Sequence, residues 1–197
     1  MKPHSSRTLN PKKTALLVID MQNDFIEKGA ILEIKNIRHG LSKLSKCIAT
    51  LRKKGVLIIF TKHVYDPKNN PVEAHLFPEL AHTGLRRKTH GADITQKLTR
   101  NTGDVVLEKT RYDCFYKTNL EVLLKRKDIA NLIITGTMTN VCCDSTARGA
   151  MYRDFTVWFS SDLTFASDKK VQAYSLKTIS ANFGYVKSTK ELLALLK

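Results

Sequence analysis

Asn131-Leu132-Ile133-Ile134-Thr135-Gly136-Thr137-Met138-Thr139-Asn140-Val141-Cys142-Cys143-Asp144-Ser145-Thr146-Ala147-Arg148 is the stretch that decides how this 197-residue chain folds. Leu132-Ile133-Ile134 has the length and β-branching of a buried strand, and Val141 onward reads as a helix opening behind Thr139 and Asn140. Cys142 then falls in the first turn of a helix, above the carboxyl end of a strand. Unpaired backbone N–H groups and the positive end of the helix dipole favour a thiolate there. An α/β protein presents a nucleophile at such a place.

The same alternation runs outward in both directions. Thr14 to Ile19 is a continuous apolar run ending in Asp20, as in a parallel strand buried on both faces. Ile37, Leu41, Leu44, Ile48 and Leu51 recur at steps of four and three, which predicts a helix apolar on one side. Gly55 closes it, and Val56 to Phe60 gives a second strand, completing the start of a βαβ unit. Val105 to Leu107 predicts a third strand, Leu120 to Leu124 a helix, Asn131 to Thr135 the fourth strand, and Phe155 to Phe159 a fifth. A helix over 168–181, a short strand over 183–187 and a terminal helix follow. Between them Tyr65 to Gly103 is broken by Pro67, Asn69-Asn70-Pro71, Pro78, Gly84 and Gly91, the texture of a segment that shapes or covers a site. The predicted architecture is a single α/β domain over 14–197, a Rossmann-like three-layer αβα sandwich around a mostly parallel sheet of about six strands. Residues 1–13, polar and basic, are predicted to be a disordered tail.

Composition narrows the function classes. The net charge of +15 permits association with anionic polymers, but the positive residues form only short clusters such as Arg52-Lys53-Lys54, Arg86-Arg87-Lys88 and Lys125-Arg126-Lys127. No aromatic-interleaved basic stripe accompanies them, so a nucleic-acid partner is not expected. No run approaches the roughly 20 apolar residues of a membrane span, and no apolar leader follows the start. The four cysteines, Cys47, Cys114, Cys142 and Cys143, include no CxxC pair, which disfavours a zinc site. A cytoplasmic protein with free thiols is the expectation.

Three reactive side chains sit at predicted strand ends, where open α/β sheets bind ligands. Asp20 ends the first strand, Lys109 follows the third, and Cys142 opens the helix after the fourth. A carboxylate, an amine and a thiol in one cleft suffice for acyl transfer. Backbone N–H groups at the turn before the helix are placed to receive an oxyanion. Each residue also has a structural reading: Asp as a turn or cap, Lys as a solvated surface charge, Cys as a small buried hydrophobe. Spacing alone leaves both open.

Four segments resemble the isochorismatase-like cysteine hydrolase superfamily, which includes nicotinamidases, carbamoylsarcosine amidases and ureidoacrylate-type amidohydrolases. They are Ala15 to Phe25, Phe60-Thr61-Lys62-His63, Val106 to Phe115 with Thr118 and Leu120 after it, and Gly136 to Ala147. The resemblance implies a catalytic triad of Asp20, Lys109 and Cys142 and a cis peptide at Thr137–Met138. It further implies an oxyanion hole made by the Met138 and Cys142 N–H groups. Cys143 then packs in the core. Phe25 and Tyr112 are candidate walls of the substrate pocket or core aromatics. No cofactor is implied, and a homo-oligomer, taken as a dimer, is expected.

Departures from the pattern narrow the chemistry. Nicotinamidases begin a metal site with Asp-x-His after the second strand, where this chain has His63 and Tyr65. His75, His82 and His90 show no ligand spacing, so no metal is expected and His63 reads as a hydrogen-bonded histidine near the cleft. Retention of Cys142 favours attack on an amide, ureido or carbamoyl carbon. The alternatives are vinyl ether hydrolysis of the isochorismate type and a non-catalytic basic binding protein. Gly149 stands where the family usually has Asp, an exchange expected to act on packing. Arg86 and Arg87 are either substrate-carboxylate ligands or surface residues.

Overall fold

The computed structural model describes residues 8–66, 68 and 70–197. Six strands form one sheet: β1 Thr14–Ile19, β2 Leu57–His63, β3 Val105–Lys109, β4 Asn131–Thr137, β5 Thr156–Phe165 and β6 Tyr185–Lys187. Their order is β3-β2-β1-β4-β5-β6, and every pairing is parallel. The helices are α1 Asn23–Ile26, α2 Ile37–Lys53, α3 Pro71–Leu76, α4 Pro78–Thr83, α5 Leu120–Arg126, α6 Asp144–Met151, α7 Lys169–Asn182 and α8 Thr189–Leu195. Among the described residues no helix is long and apolar enough to cross a membrane.

The three layers follow from the strand alternation. Leu16 and Val18 of β1 point into one core with Leu41, Leu44 and Ile48 of α2 and Leu192 of α8. Ala15, Leu17 and Ile19 point into the other, with Leu120 and Leu124 of α5, Ala147 and Ala150 of α6 and Ile179 of α7. All six residues of β1 are buried, and Leu16, Leu17, Val18 and Ile19 contribute about 1.5–3 kcal/mol each. α2 buries Ile37, Leu41, Leu44, Cys47, Ile48 and Leu51, the stripe its spacing predicted, and Gly55 ends the turn at φ +85°. α8 opens on a capping box between Ser188 and Glu191.

The order reverses between β1 and β4, the sheet's topological switch point. Gly136 of β4 crosses β1 there at φ +108°, and a Cβ on it would meet the Ile19 carbonyl oxygen at 2.0 Å. Only glycine lets the two strands approach where the site begins.

Two expectations change. The prediction of a disordered tail over 1–13 fails for its described end. Leu9 is buried, its N–H bonds the Leu195 carbonyl at 2.8 Å, and Pro11–Lys13 form a helical turn capped by Asn10. Apolar Leu9 has a slot against Leu196 that a composition reading does not reveal. Residues 1–7 of that predicted tail lie outside the described residues. The helix predicted from Val141 begins instead as a wide π-type turn, Thr139–Cys143, and regular α-helix starts at Asp144. The Met138 carbonyl accepts from both the Val141 and Cys143 N–H groups, which holds that turn open.

Candidate active site

The carboxyl ends of four neighbouring strands deliver Lys109 from β3, His63 from β2, Asp20 just past β1 and Cys142 just past β4. Asp20 adopts a left-handed backbone at φ 49°, a conformation that Asp tolerates better than most residues. Its N–H donates to the Thr61 hydroxyl oxygen at 3.0 Å, and that hydroxyl donates back to Asp20 Oδ1 at 2.6 Å. Lys109 Nζ donates to Asp20 Oδ2 at 2.6 Å and to the Arg111 carbonyl at 3.1 Å. The side chains of this ion pair are fully buried. A pair taken out of water in this way is strongly coupled, because no solvent screens it.

Electrostatics correct one sequence expectation. The helix-start position suggested a thiolate, yet burial pushes the Cys142 thiol well above the usual cysteine range. The Lys109 ammonium opposes that rise, while the Asp20 charge and the hydrogen bond to Asp20 add to it. Desolvation is the largest of these effects. Burial alone would lower Lys109, but the Asp20 carboxylate and neighbouring sulfurs outweigh it and hold the ammonium above its ordinary range.

The donor atoms of Asp20, His63 and Cys142 lie within 4.8 Å of one another, close enough to raise the question of a metal. The set does not fit a resident dication. Both Asp20 oxygens already hold donors, and the Lys109 ammonium sits on one of them.

The Thr137–Met138 peptide is cis, as the resemblance implied. Cys143 is buried with its Sγ 4.0 Å from the Thr135 carbonyl, and all four cysteines are free. Tyr112 is half-buried with its ring 5.9 Å from that of His63. Phe25 is buried in the core cluster on the α2 side. Arg87 pairs with Glu108 on the surface. Gly149 leaves room for a side chain opposite: a Cβ there would meet the Asp113 carboxylate at 2.6 Å. His63 does not match its reading as a hydrogen-bonded histidine, because its Nε2 is buried without a partner.

Two positioning residues were not singled out in the sequence. Thr61 fixes the Asp20 carboxylate, and it lies in the quoted segment Phe60 to His63. Gln22 clamps the end of β2: it accepts from the His63 N–H at 2.8 Å and donates to the His63 carbonyl at 2.9 Å and the Ala92 carbonyl at 2.8 Å. A glutamine directly after a strand-terminal Asp-Met is the one sequence signal at this position, and it was not read.

A parallel αβα sandwich with such a cluster at its carboxyl edge defines an α/β enzyme of the kind that works at its switch point. Comparison makes the class particular. The chain matches the isochorismatase domain over residues 14–191 and belongs to that family of hydrolases. It is 29% identical over 194 residues to ureidoacrylate amidohydrolase RutB of Methylorubrum extorquens, covering 88% of this chain and 78% of that one. It is 30% identical to the protein of the same name from Serratia proteamaculans, covering 89% and 79%. A crystal structure of a cysteine hydrolase from Pseudomonas syringae pv. phaseolicola superposes with a TM-score of 0.93 at 29% identity, over 98% of this chain and 97% of that one. N-carbamoylsarcosine amidase from Thermoplasma acidophilum superposes with a TM-score of 0.78 at 25% identity, over 90% and 96%.

Proposed function

We propose that this hydrolase is a metal-independent cysteine amidohydrolase that cleaves a small amide, ureido or carbamoyl compound through a thioester. One observation carries the reading: Cys142 Sγ lies within 4.8 Å of a carboxylate oxygen of buried Asp20, a group that Lys109 Nζ holds at 2.6 Å. The names of the relatives, an amidohydrolase of ureidoacrylate and an amidase of N-carbamoylsarcosine, support the same chemistry.

Asp20 takes the thiol proton as sulfur attacks the carbonyl carbon, so the thiolate exists only as the bond forms. The Met138 and Cys142 N–H groups receive the oxyanion. Lys109 stays charged throughout and keeps the site neutral when Asp20 is ionised. The proton then passes from Asp20 to the leaving nitrogen, and ammonia or an amine departs. Asp20 next activates water, which attacks the thioester and releases the acid and the free thiol. Thr61 holds the carboxylate in line for both transfers.

The test is ammonia release from a panel containing ureidoacrylate, N-carbamoylsarcosine and simple primary amides, with Cys142→Ala alongside. Loss of activity by at least about 10³-fold in the variant is the expected result, since covalent catalysis is removed entirely. Retention of more than about a hundredth of the rate would sink the covalent scheme, because general acid–base help alone is worth 10²–10⁴-fold. Tolerance of Cys142→Ala with intolerance of Asp20→Asn would instead support vinyl ether hydrolysis.

A further inference from the structure

The acyl-transfer scheme leaves two buried polar atoms unused, and both belong to the end of β2. Among the described residues, His63 Nε2 and the Tyr65 hydroxyl are the buried side-chain polar atoms without a hydrogen-bond partner. Their rings lie 6.4 Å apart, and a ring nitrogen of His63 is within 4.8 Å of Cys142 Sγ. Neither residue is loose. Gln22 grips the His63 backbone on both sides, the Val64 N–H bonds the Lys109 carbonyl at 2.8 Å, and the Tyr65 N–H bonds the Leu85 carbonyl at 2.9 Å. Rigid backbones carrying unsatisfied tips beside a nucleophile are how a protein reserves contacts for a ligand.

The charges around these tips say what kind of ligand. Burial, then the Lys109 ammonium, push His63 down to about 3, against the pull of Asp20 and with a further push from Arg111. The imidazole is therefore neutral and able to accept a hydrogen bond. Burial and the Glu73 carboxylate raise the Tyr65 phenol, with Glu79 adding to the rise and Arg111 opposing it, so it keeps its proton. Glu73 is itself buried and accepts from Asn70 at 2.5 Å. Arg111 donates to the Thr110 carbonyl at 2.7 Å. The wall thus offers a neutral acceptor and a neutral donor, which suits a substrate N–H and the polar atom beyond it. A carbon under attack lies about 3–3.5 Å from the sulfur, and an atom bonded to it, one bond further on, is within reach of His63.

We propose that the substrate completes these two atoms: His63 Nε2 accepts an N–H borne on or next to the carbon that Cys142 attacks, and the Tyr65 hydroxyl bonds the polar atom beyond it. His63 and Tyr65 then make the site select amide, carbamoyl or ureido groups with a free N–H over esters and N,N-dialkylated amides. This rests on the acyl-transfer reading and adds the substrate feature that the wall recognises. Sites built to hydrogen-bond a substrate group reject analogues lacking it far better than apolar pockets reject a methylene.

The experiment compares the amide turned over fastest in the ammonia-release panel with the methyl ester of the same acyl group. The readout is the ratio of their kcat/KM values in the wild type, His63→Leu, His63→Gln and Tyr65→Phe. The expected result is a fall of at least about 30-fold in the amide-to-ester ratio for His63→Leu and about 5-fold for Tyr65→Phe, of the order one or two polar contacts supply. His63→Gln, whose side-chain carbonyl still accepts an N–H, is expected to recover most of the ratio. An unchanged ratio in both His63→Leu and Tyr65→Phe, with Cys142→Ala inactive, overturns this inference while leaving the covalent scheme standing. An active Cys142→Ala, or no amide turnover by the wild type, overturns both. Should His63→Leu fail to fold, the Tyr65→Phe ratio decides the matter, an unchanged value overturning the inference.

Discussion

The two sides of the site are built on opposite principles. On the floor, hydrogen bonds join Asp20 to both Thr61 and Lys109, and the ion pair closes at 2.6 Å with both side chains fully buried. On the wall, His63, two residues along β2 from Thr61, and Tyr65 just past the strand leave buried polar atoms unpaired. A buried network that is fully satisfied becomes rigid, and one left unsatisfied awaits a partner. The floor holds the geometry of the reaction, and the wall holds room for what reacts. The difference teaches that burial alone does not mark function; the presence or absence of a partner inside the molecule does.

The largest expected effect breaks the floor. Lys109→Ala leaves the Asp20 carboxylate buried with no counter-ion, and breaking such a pair costs about 3–5 kcal/mol. In a chain of this size that corresponds to a drop on the order of 10 °C in melting temperature, together with loss of activity. A melt within a degree or two of wild type would show that the pair contributes little to the fold. Because the folded ammonium is held above the usual lysine range, its share of stability is present at neutral pH. That share declines only as pH rises through the raised value.

The wall should respond to acid through His63. His63 is lowered from 6.5 to about 3, so between these values the unfolded chain takes up a proton that the folded chain refuses. Stability attributable to His63 is therefore intact above pH 6.5 and is lost as pH falls towards 3. His63→Leu removes this uptake, and its urea midpoint should decline less steeply than that of the wild type over the same window. Identical slopes in the two proteins would mean that His63 titrates normally in the fold. Carboxylates throughout the protein titrate there too, so the difference between the two slopes is the quantity to read.

A smaller effect sharpens how the wall is propped. Asp113 follows Tyr112, accepts from the Phe115 N–H at 2.9 Å, and fills the space that Gly149 leaves. Gly149→Asp would set a second carboxylate against the first, with its Cβ at 2.6 Å from an Asp113 oxygen. Overpacking of this kind costs about 1–3 kcal/mol, and displaced Asp113 should shift Tyr112 and raise KM more than it lowers kcat. Unchanged KM with reduced stability would confine Gly149 to packing.

Much of the floor was legible in the sequence and little of the wall. Buried parallel strands announce themselves as continuous apolar runs, and side chains at their carboxyl ends fall into one row by topology, so Asp20, Lys109 and Cys142 could be grouped before any coordinates. The protonation of Cys142 was not legible. Position on a helix suggests a thiolate, while desolvation, a three-dimensional quantity, pushes the thiol up. His63 was misjudged for the same reason, since sequence cannot say whether a histidine nitrogen finds a partner. The stretch from Tyr65 to Gly103 lacks any period, and the short helices α3 and α4 there are each opened by a proline rather than by an apolar stripe. Leu9 escaped because a lone leucine in a polar run carries no pattern.

The smallest effect separates the wall from the surface outside it. Arg86 and Arg87 stood as candidates for holding a substrate carboxylate, yet Arg87 pairs with Glu108 where the two side chains are 54% and 37% exposed. An exposed pair of this kind contributes about 0–1 kcal/mol and is screened further by salt. Arg87→Ala should leave the melting temperature within about 2 °C of wild type. KM for the preferred amide should move less than about twofold, because the removed charge faces water and Glu108 rather than His63 or Tyr65. A rise in KM of tenfold or more would mean that the recognition surface extends past β2 to this arginine, which then receives a substrate anion.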